Sequence, residues 1–279
     1  MSGHDRPRAA MSGEDLGLTR DEIAADLRAL GVRPGDRLLV HSSLKSLGWV
    51  KGAAHAVVDA LLDAVFPGGT IAVPTHTSPA PILDLVTTPC HTGAIPNALR
   101  IRPDAIRSLD ATHSVAAIGP DAAYACAGHP LATALGVDSP FDRLSRLGAR
   151  ILLIGVTHTA NSTVHVAEAR YPVPYLDVPY SPEYASASVR IVGPGAVDLM
   201  VPRIRECPGC SHNFDVLDEP MTCSGRQTIG TVGRAQCRLM VAEDLVACVH
   251  ELLDSDLGAL LCGDPKCTCC PNALATLPR

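Results

Sequence analysis

Aromatic side chains are scarce, with one Trp, five Tyr and three Phe, 3% of the 279 residues. The core must therefore be assembled from Ala, Val, Leu and Ile. Long apolar runs are missing as well. None approaches the roughly 20 residues that a bilayer-spanning helix needs. The first residues, MSGHDRPRAAMSGEDLG, hold no apolar leader core. The expectation is a cytoplasmic protein with no membrane partner. Basic excess is also missing: 23 Lys+Arg stand against 29 Asp+Glu, a formal net charge of −6. A nucleic-acid partner would ask for a basic face, so none is expected, whereas the acidity suits a cationic substrate. What the chain does have is an ordinary globular balance, 47% apolar and 19% charged, which excludes disorder for most of its length. It also has 11 cysteines. In a reducing compartment these read as buried thiols or metal ligands rather than disulfides.

The patterning predicts residues 1–17 as a flexible tail and 18–279 as a single domain. Thr19 before Arg20-Asp-Glu22 is an N-cap signal, and Gly31 closes the helix it starts. Arg37-Leu-Leu-Val-His41 reads as a strand, His55–Val65 as a helix stopped by Pro67-Gly-Gly69, and Thr70–Val73 as the next strand. Strand, loop, helix, strand implies parallel pairing. The fold class expected is α/β, a mixed and largely parallel central sheet flanked by helices, with a cysteine-rich C-terminal segment. Residues 78–103 read as a Pro-rich surface excursion. Val115–Ile118 and Arg150–Gly155 read as strands, and Asp121–Ala127, Pro140–Leu147, Asn161–Arg170 and Ala242–Leu253 as helices. Ile191–Val201 and Val216 mark further strands.

Three groups of residues carry chemistry. The first is the loop from His41 into the helix at 55, which holds Ser42, Ser43, Ser46, Gly48, Lys51 and Gly52. A helix N-terminus offers free N–H groups and partial positive charge, and hydroxyls and a lysine add donors, so the loop suits a pyrophosphate. It is neither a Walker A nor a GxGxxG sequence, and a solvated loop fits it too. The second is His165 and Glu168, one helical turn apart. Such a pair suits a general base and the carboxylate that orients it, and equally a surface ion pair or a satisfied core histidine. The third is the two CxxC pairs Cys207/Cys210 and Cys267/Cys270, four thiols with the spacing of a structural zinc site. His212, Cys262 and Cys269 are substitutes, and free thiols or a redox pair are the alternative reading.

The stretch LGVRPGDRLLVHSSLKSLGWVKGAAHAVVDALLDAVFPGGTIAVPTHT at 30–77 resembles the opening of the aminoglycoside 3-N-acetyltransferase family. The resemblance continues through RSLDATHSVAAIG (107–119), HP (129–130), DSPFDRL (138–144), GARILLIGV (148–156) and TVHVAEA (163–169). It implies an acetyl-coenzyme A-dependent enzyme that acetylates the 3-amino group of deoxystreptamine antibiotics. It assigns the catalytic pair to His165 and Glu168. It puts Ser42, Ser43, Ser46, Val50, Lys51 and Gly52 on the coenzyme A side, with Thr75, Thr112, Ser114 and Val115 further in, towards the thioester. His113 is kept as a second catalytic candidate, and the Ser114 hydroxyl or backbone N–H groups as oxyanion donors. Asp110-Ala111 stands where the family is expected to carry His-Pro. Asp177, in a Pro-rich stretch, is a candidate carboxylate for a cationic acceptor. Zinc does not follow from the resemblance. The competing expectations are an N-acetyltransferase acting on another amine and a non-catalytic, zinc-stabilised binding protein. A homodimer is left open.

Overall fold

The structure is a computed structural model that describes residues 17–78, 80–129, 134–176, 188–202 and 210–278. The first helix, α1 (Arg20–Leu30), starts from a full capping box. The Thr19 hydroxyl accepts from the Glu22 N–H, and the Glu22 carboxylate accepts from the Thr19 N–H. Gly31 ends it in the left-handed region, φ 113°, where a Cβ would be strained. Strand β1 (Arg37–Ser42), helix α2 (Ala53–Val65) and strand β2 (Thr70–Pro74) follow as the pattern predicted.

Seven strands form the main sheet. Beside β1 and β2 these are β4 (Ile106–Arg107), β5 (Val115–Ile118), β6 (Arg150–Ile154), β9 (Gln227–Val232) and β10 (Ala235–Val241), in the order β4-β5-β2-β1-β6-β10-β9. Pairing is parallel only at the centre, β2 with β1 and β1 with β6; the four outer junctions are antiparallel. Leu38, Val40, Leu152 and Ile154 face one layer, and Leu39, Ile151 and Leu153 the other. Both layers are helical, which explains why the central strands read as unbroken apolar runs. On the first face lie α1, α2 and α3 (Ala94–Arg100). On the second lie α4 (Ala122–Cys126), α5 (Pro140–Arg146), α6 (Thr163–Arg170) and the helix Ala242–Ser255. A separate three-stranded sheet joins β3 (Ile82–Asp84), β7 (Ser188–Gly193) and β8 (Val197–Pro202) around Leu83, Val189, Ile191 and Val201.

Three departures from the sequence expectations have physical causes. The excursion at 78–103 contains α3, whose Pro96 sits in the first turn, where proline costs no hydrogen bond. Val216 belongs to a single 3₁₀ turn, Phe214–Leu217, that buries Phe214 and Leu217 at helical spacing, so it is not a strand. The β9–β10 hairpin carried no strand expectation, because Arg238 interrupts its apolar pattern. That guanidinium is buried by a two-pronged pair with Asp218, at 2.6 Å on each oxygen. Among the described residues no helix is long and apolar enough to cross a membrane.

Candidate active site

The carboxyl ends of the parallel strands open into one crevice, as open α/β sheets require. A cavity of about 450 Å³ lies there. Its walls come from the end of β1 (His41, Ser42), the end of β2 (Pro74, His76), the segment after β6 (Val156, Thr159–Ser162) and His165 on α6. His91, Thr92, His113, Leu135 and Ser211 also line it.

His165 and Glu168 are joined. Nδ1 of His165 is 2.7 Å from Oε2 of Glu168, and the carboxylate is fully buried. A carboxylate can only accept, so Nδ1 carries the proton. Among the described residues Nε2 has no hydrogen-bond partner, and its ring lines the cavity. The second carboxylate oxygen accepts from the Tyr175 hydroxyl at 2.8 Å. Tyr175 stands two residues before Asp177 in the Pro-rich stretch and is wholly buried. Burial and the adjacent Glu168 charge push its phenol upward, so it stays a donor. The edge of Phe214 meets the His165 ring at 5.0 Å and 65°.

Three more histidines gather behind this pair. His76 lies against His113 with ring centres 4.5 Å apart and ring planes tilted by 53°. His41 Nε2, His76 Nε2 and Ser42 Oγ are buried without a partner among the described residues. Burial, with a contribution from His158, holds His41 down to about 3. Burial among His113, His41, His91 and His165 holds His76 well below its ordinary value. His113 is held down to about 4 by burial, against the opposing pull of Asp110. All three rings are therefore neutral near pH 7. The His-Pro departure has a local meaning. The Asp110 carboxylate accepts from the backbone N–H of Thr112 at 2.9 Å and of His113 at 2.5 Å, an Asx turn that aims His113 into the cavity.

Of the residues expected on the coenzyme side, only Ser42 lines this cavity. Ser46 donates to Gly155 O at 3.1 Å and to Ser43 Oγ at 3.0 Å, so these hydroxyls tie the loop to the end of β6. Val50 is in the core and bridges to Leu18. Lys51 is exposed, and Gly52 precedes α2 at φ 89°. Thr75, Thr112, Ser114 and Val115 are buried and do not line the cavity. Thr75 and Ser114 bond to each other, and Arg107 donates to Ser114 Oγ at 3.0 Å. Asp177 and Cys207 lie outside the described residues.

Cys210 and three C-terminal thiols meet in the fold. The sulfurs of Cys210, Cys262, Cys267 and Cys270 all lie within 4.8 Å of one another. Four sulfurs around a zinc at about 2.3 Å would stand about 3.8 Å apart, so the donor set fits a tetrahedral ion. Backbone N–H groups of His212, Cys262 and Cys270 point at the sulfurs at 3.4–3.5 Å. Cys262, named only as a substitute, is the fourth member of the described cluster.

The family model for aminoglycoside 3-N-acetyltransferase matches residues 39–254. The chain belongs to that family. Among its relatives is aminoglycoside N(3)-acetyltransferase III of Serratia marcescens, 33% identical over 86% of this chain and 99% of that one. Aminoglycoside N(3)-acetyltransferase VIII of Streptomyces fradiae is 31% identical over 86% and 93%. Among solved structures, the apoenzyme of aminoglycoside acetyltransferase AAC(3)-IVa is similar, with TM-score 0.81 and 30% identity over 95% of this chain and all of that one. A mutant of that enzyme in complex with a gentamicin is similar too, at TM-score 0.80 and 29% identity over 96% of this chain and 100% of that one.

Sequence reasoning missed Tyr175 as the partner of Glu168, Phe214 on His165, and the buried His41 and His76. None of these has a local signal: Tyr175 and Phe214 meet the pair through tertiary contact, and the burial of the His41 and His76 ring nitrogens is set by the fold.

Proposed function

We propose that the protein transfers the acetyl group of acetyl-coenzyme A to the 3-amino group of a 2-deoxystreptamine aminoglycoside. The observation that carries this is the chain Tyr175–Glu168–His165 ending in a free ring nitrogen on the cavity. His165 Nε2 takes a proton from the acceptor amine, and the amine nitrogen attacks the thioester carbonyl carbon. The tetrahedral oxyanion collapses, the C–S bond breaks, and coenzyme A leaves with a proton as the thiol. Glu168 holds the imidazolium that forms, and Tyr175 holds Glu168. Neutral His113 and His76 supply ring N–H groups near the reacting carbonyl, which suits oxyanion stabilisation. The loop from Ser42 to Gly52 and the start of α2 would take the pyrophosphate, with Lys51 as its exposed cation. Thr75, Thr112, Ser114 and Val115 build the wall behind His113 rather than presenting atoms of their own. Asp177 would add a carboxylate for the acceptor's ammonium groups.

The four thiols would hold one zinc ion in a structural role, with no open position for chemistry. That chemistry belongs in a reducing cytoplasm, where the thiols remain thiols. The test is thioester consumption with acetyl-coenzyme A and a panel of 4,6- and 4,5-disubstituted deoxystreptamines. Turnover is expected, and His165→Ala is expected to lower kcat by about 10²–10⁴ with the fold intact. Binding of coenzyme A without turnover on any aminoglycoside would transfer the reading to another amine. No binding at all would overturn it.

A further inference from the structure

We infer that the four-cysteine site positions the His165–Glu168 pair, by fixing the two aromatic side chains that lean on it. The inference rests on the zinc reading above and extends it to the reacting groups.

Two short paths lead from the sulfurs to the pair. On one side, Cys210 is followed by Ser211, which lines the cavity, and then by Phe214, whose edge meets the His165 ring. Phe214 comes only four positions after Cys210. Between them the backbone has one 3₁₀-type bond, Phe214 N–H to Ser211 O at 3.2 Å, and no regular element. On the other side, Tyr175 packs in the same apolar cluster as Cys262, Cys270, Leu260 and Phe214, and gives its hydroxyl to Glu168. A second tie, Asn213 Nδ2 to Ala259 O at 2.6 Å, joins the same two segments.

The segment around 257–269 is made of turns, so no helix or strand ladder holds Cys262 and Cys267 in place. Thiols bond weakly to one another, whereas four thiolates on one ion form a rigid cross-link. The ion would therefore fix the backbone four residues before Phe214 and the turns that share the apolar cluster of Tyr175. Partners that orient a reacting group from one shell out are worth large factors in rate, because small misplacements are costly. Tyr175 and Phe214 are positioning residues in this account; neither touches the acceptor amine.

The experiment uses the full chain purified under reducing conditions. Metal analysis should give one zinc per chain, and cobalt substitution should give a tetrahedral thiolate spectrum. A chain that holds no metal and takes up neither ion overturns the zinc reading and this inference with it. Zinc is then withdrawn with an organomercurial and a chelator, and the thiols are regenerated. In the zinc-free protein kcat should fall about tenfold or more while KM for acetyl-coenzyme A changes by less than about twofold, and zinc should restore it. An unchanged kcat in folded zinc-free protein overturns the positioning role and leaves zinc a staple only.

Nitrogen NMR of the histidine rings reads the same point without any substrate. The Nδ1–H form of His165 should be single and ordered with zinc and averaged without it, even if the acetyl-transfer reading fails. Where the zinc-free chain does not fold, zinc-loaded Tyr175→Phe serves instead. It should keep its metal and lose about tenfold in kcat at constant KM. Full kcat in that variant overturns the inference.

Discussion

Acidification from pH 7 to pH 5 should destabilise this protein much more than ordinary surface histidines would. His41 is buried and His113 half-buried where they line the cavity, and they are held down to about 3 and about 4. The groups around them are mostly other histidines: His158 beside His41, and His165, His129 and His91 beside His113, with Asp110 the one carboxylate that opposes. In the unfolded chain each takes a proton near pH 6.5. Between that value and pH 5 the unfolded state binds protons that the folded state refuses. Stability is thus complete above pH 6.5 and is lost as pH falls towards the folded values. Each group costs about 1.4 kcal/mol per pH unit in that window, so the pair costs about 4 kcal/mol by pH 5. His76, His129 and His158, all lowered by burial, add in the same direction. Against a total of about 5–15 kcal/mol, that is a large share. Asp218, held to about 2 chiefly by Arg238, acts only below the ordinary Asp range near pH 4 and does not interfere. Urea melts followed by far-UV circular dichroism at pH 7 and pH 5, at one ionic strength, measure the difference. His41→Gln should shrink it by about 2 kcal/mol. Equal stability at the two pH values, or the same loss in the variant, would refute the reasoning.

Two further predictions concern the scaffold. Asp142 is fully buried and accepts from Arg170 at 2.7 Å, from Arg146 at 2.8 Å and from the Asp138 N–H at 2.7 Å. Asp142→Ala removes both ion pairs and the acceptor for the Asp138 N–H, while Arg170 keeps Glu243 and Arg146 keeps Asp138, so a loss of about 1–3 kcal/mol is expected in a chemical denaturation series. Gly155 has φ 62°, and a Cβ there would come within 2.2 Å of Ser46 Cβ. Gly155→Ala should push the 43–47 turn away from the end of β6. The expected readout is a higher KM for acetyl-coenzyme A with a smaller change in kcat; an unchanged KM would separate the loop from the cosubstrate.

Much of the frame could be read in the chain because its signals are local. The Thr19 capping box, the Gly31 stop and the apolar runs at 37–41 and 150–154 each depend on neighbours in sequence. The His165–Glu168 spacing is of the same kind, one helical turn. What escaped depends on distant partners. Arg238 hides a strand until Asp218 accounts for its charge. Tyr175 looks like a loop aromatic until Glu168 lies beneath it. Cys262 has no CxxC partner, and only the fold brings its sulfur to the others. The Pro-rich stretch concealed a helix because the penalty for proline vanishes in a first turn.

The late hairpin has a consequence for synthesis. Strand β10 pairs with β6, and the helix Ala242–Ser255 that follows packs on α6, where His250 donates to the Ala167 carbonyl at 3.0 Å. The helix that carries His165 therefore stays uncovered until the ribosome has made another seventy or so residues. A nascent chain that ends before β10 would expose the unpaired edge of β6 and the side of α6 that the last long helix covers. Such an intermediate is the form that chaperones bind, and the order of the chain thus sets a period of vulnerability before the cavity can close.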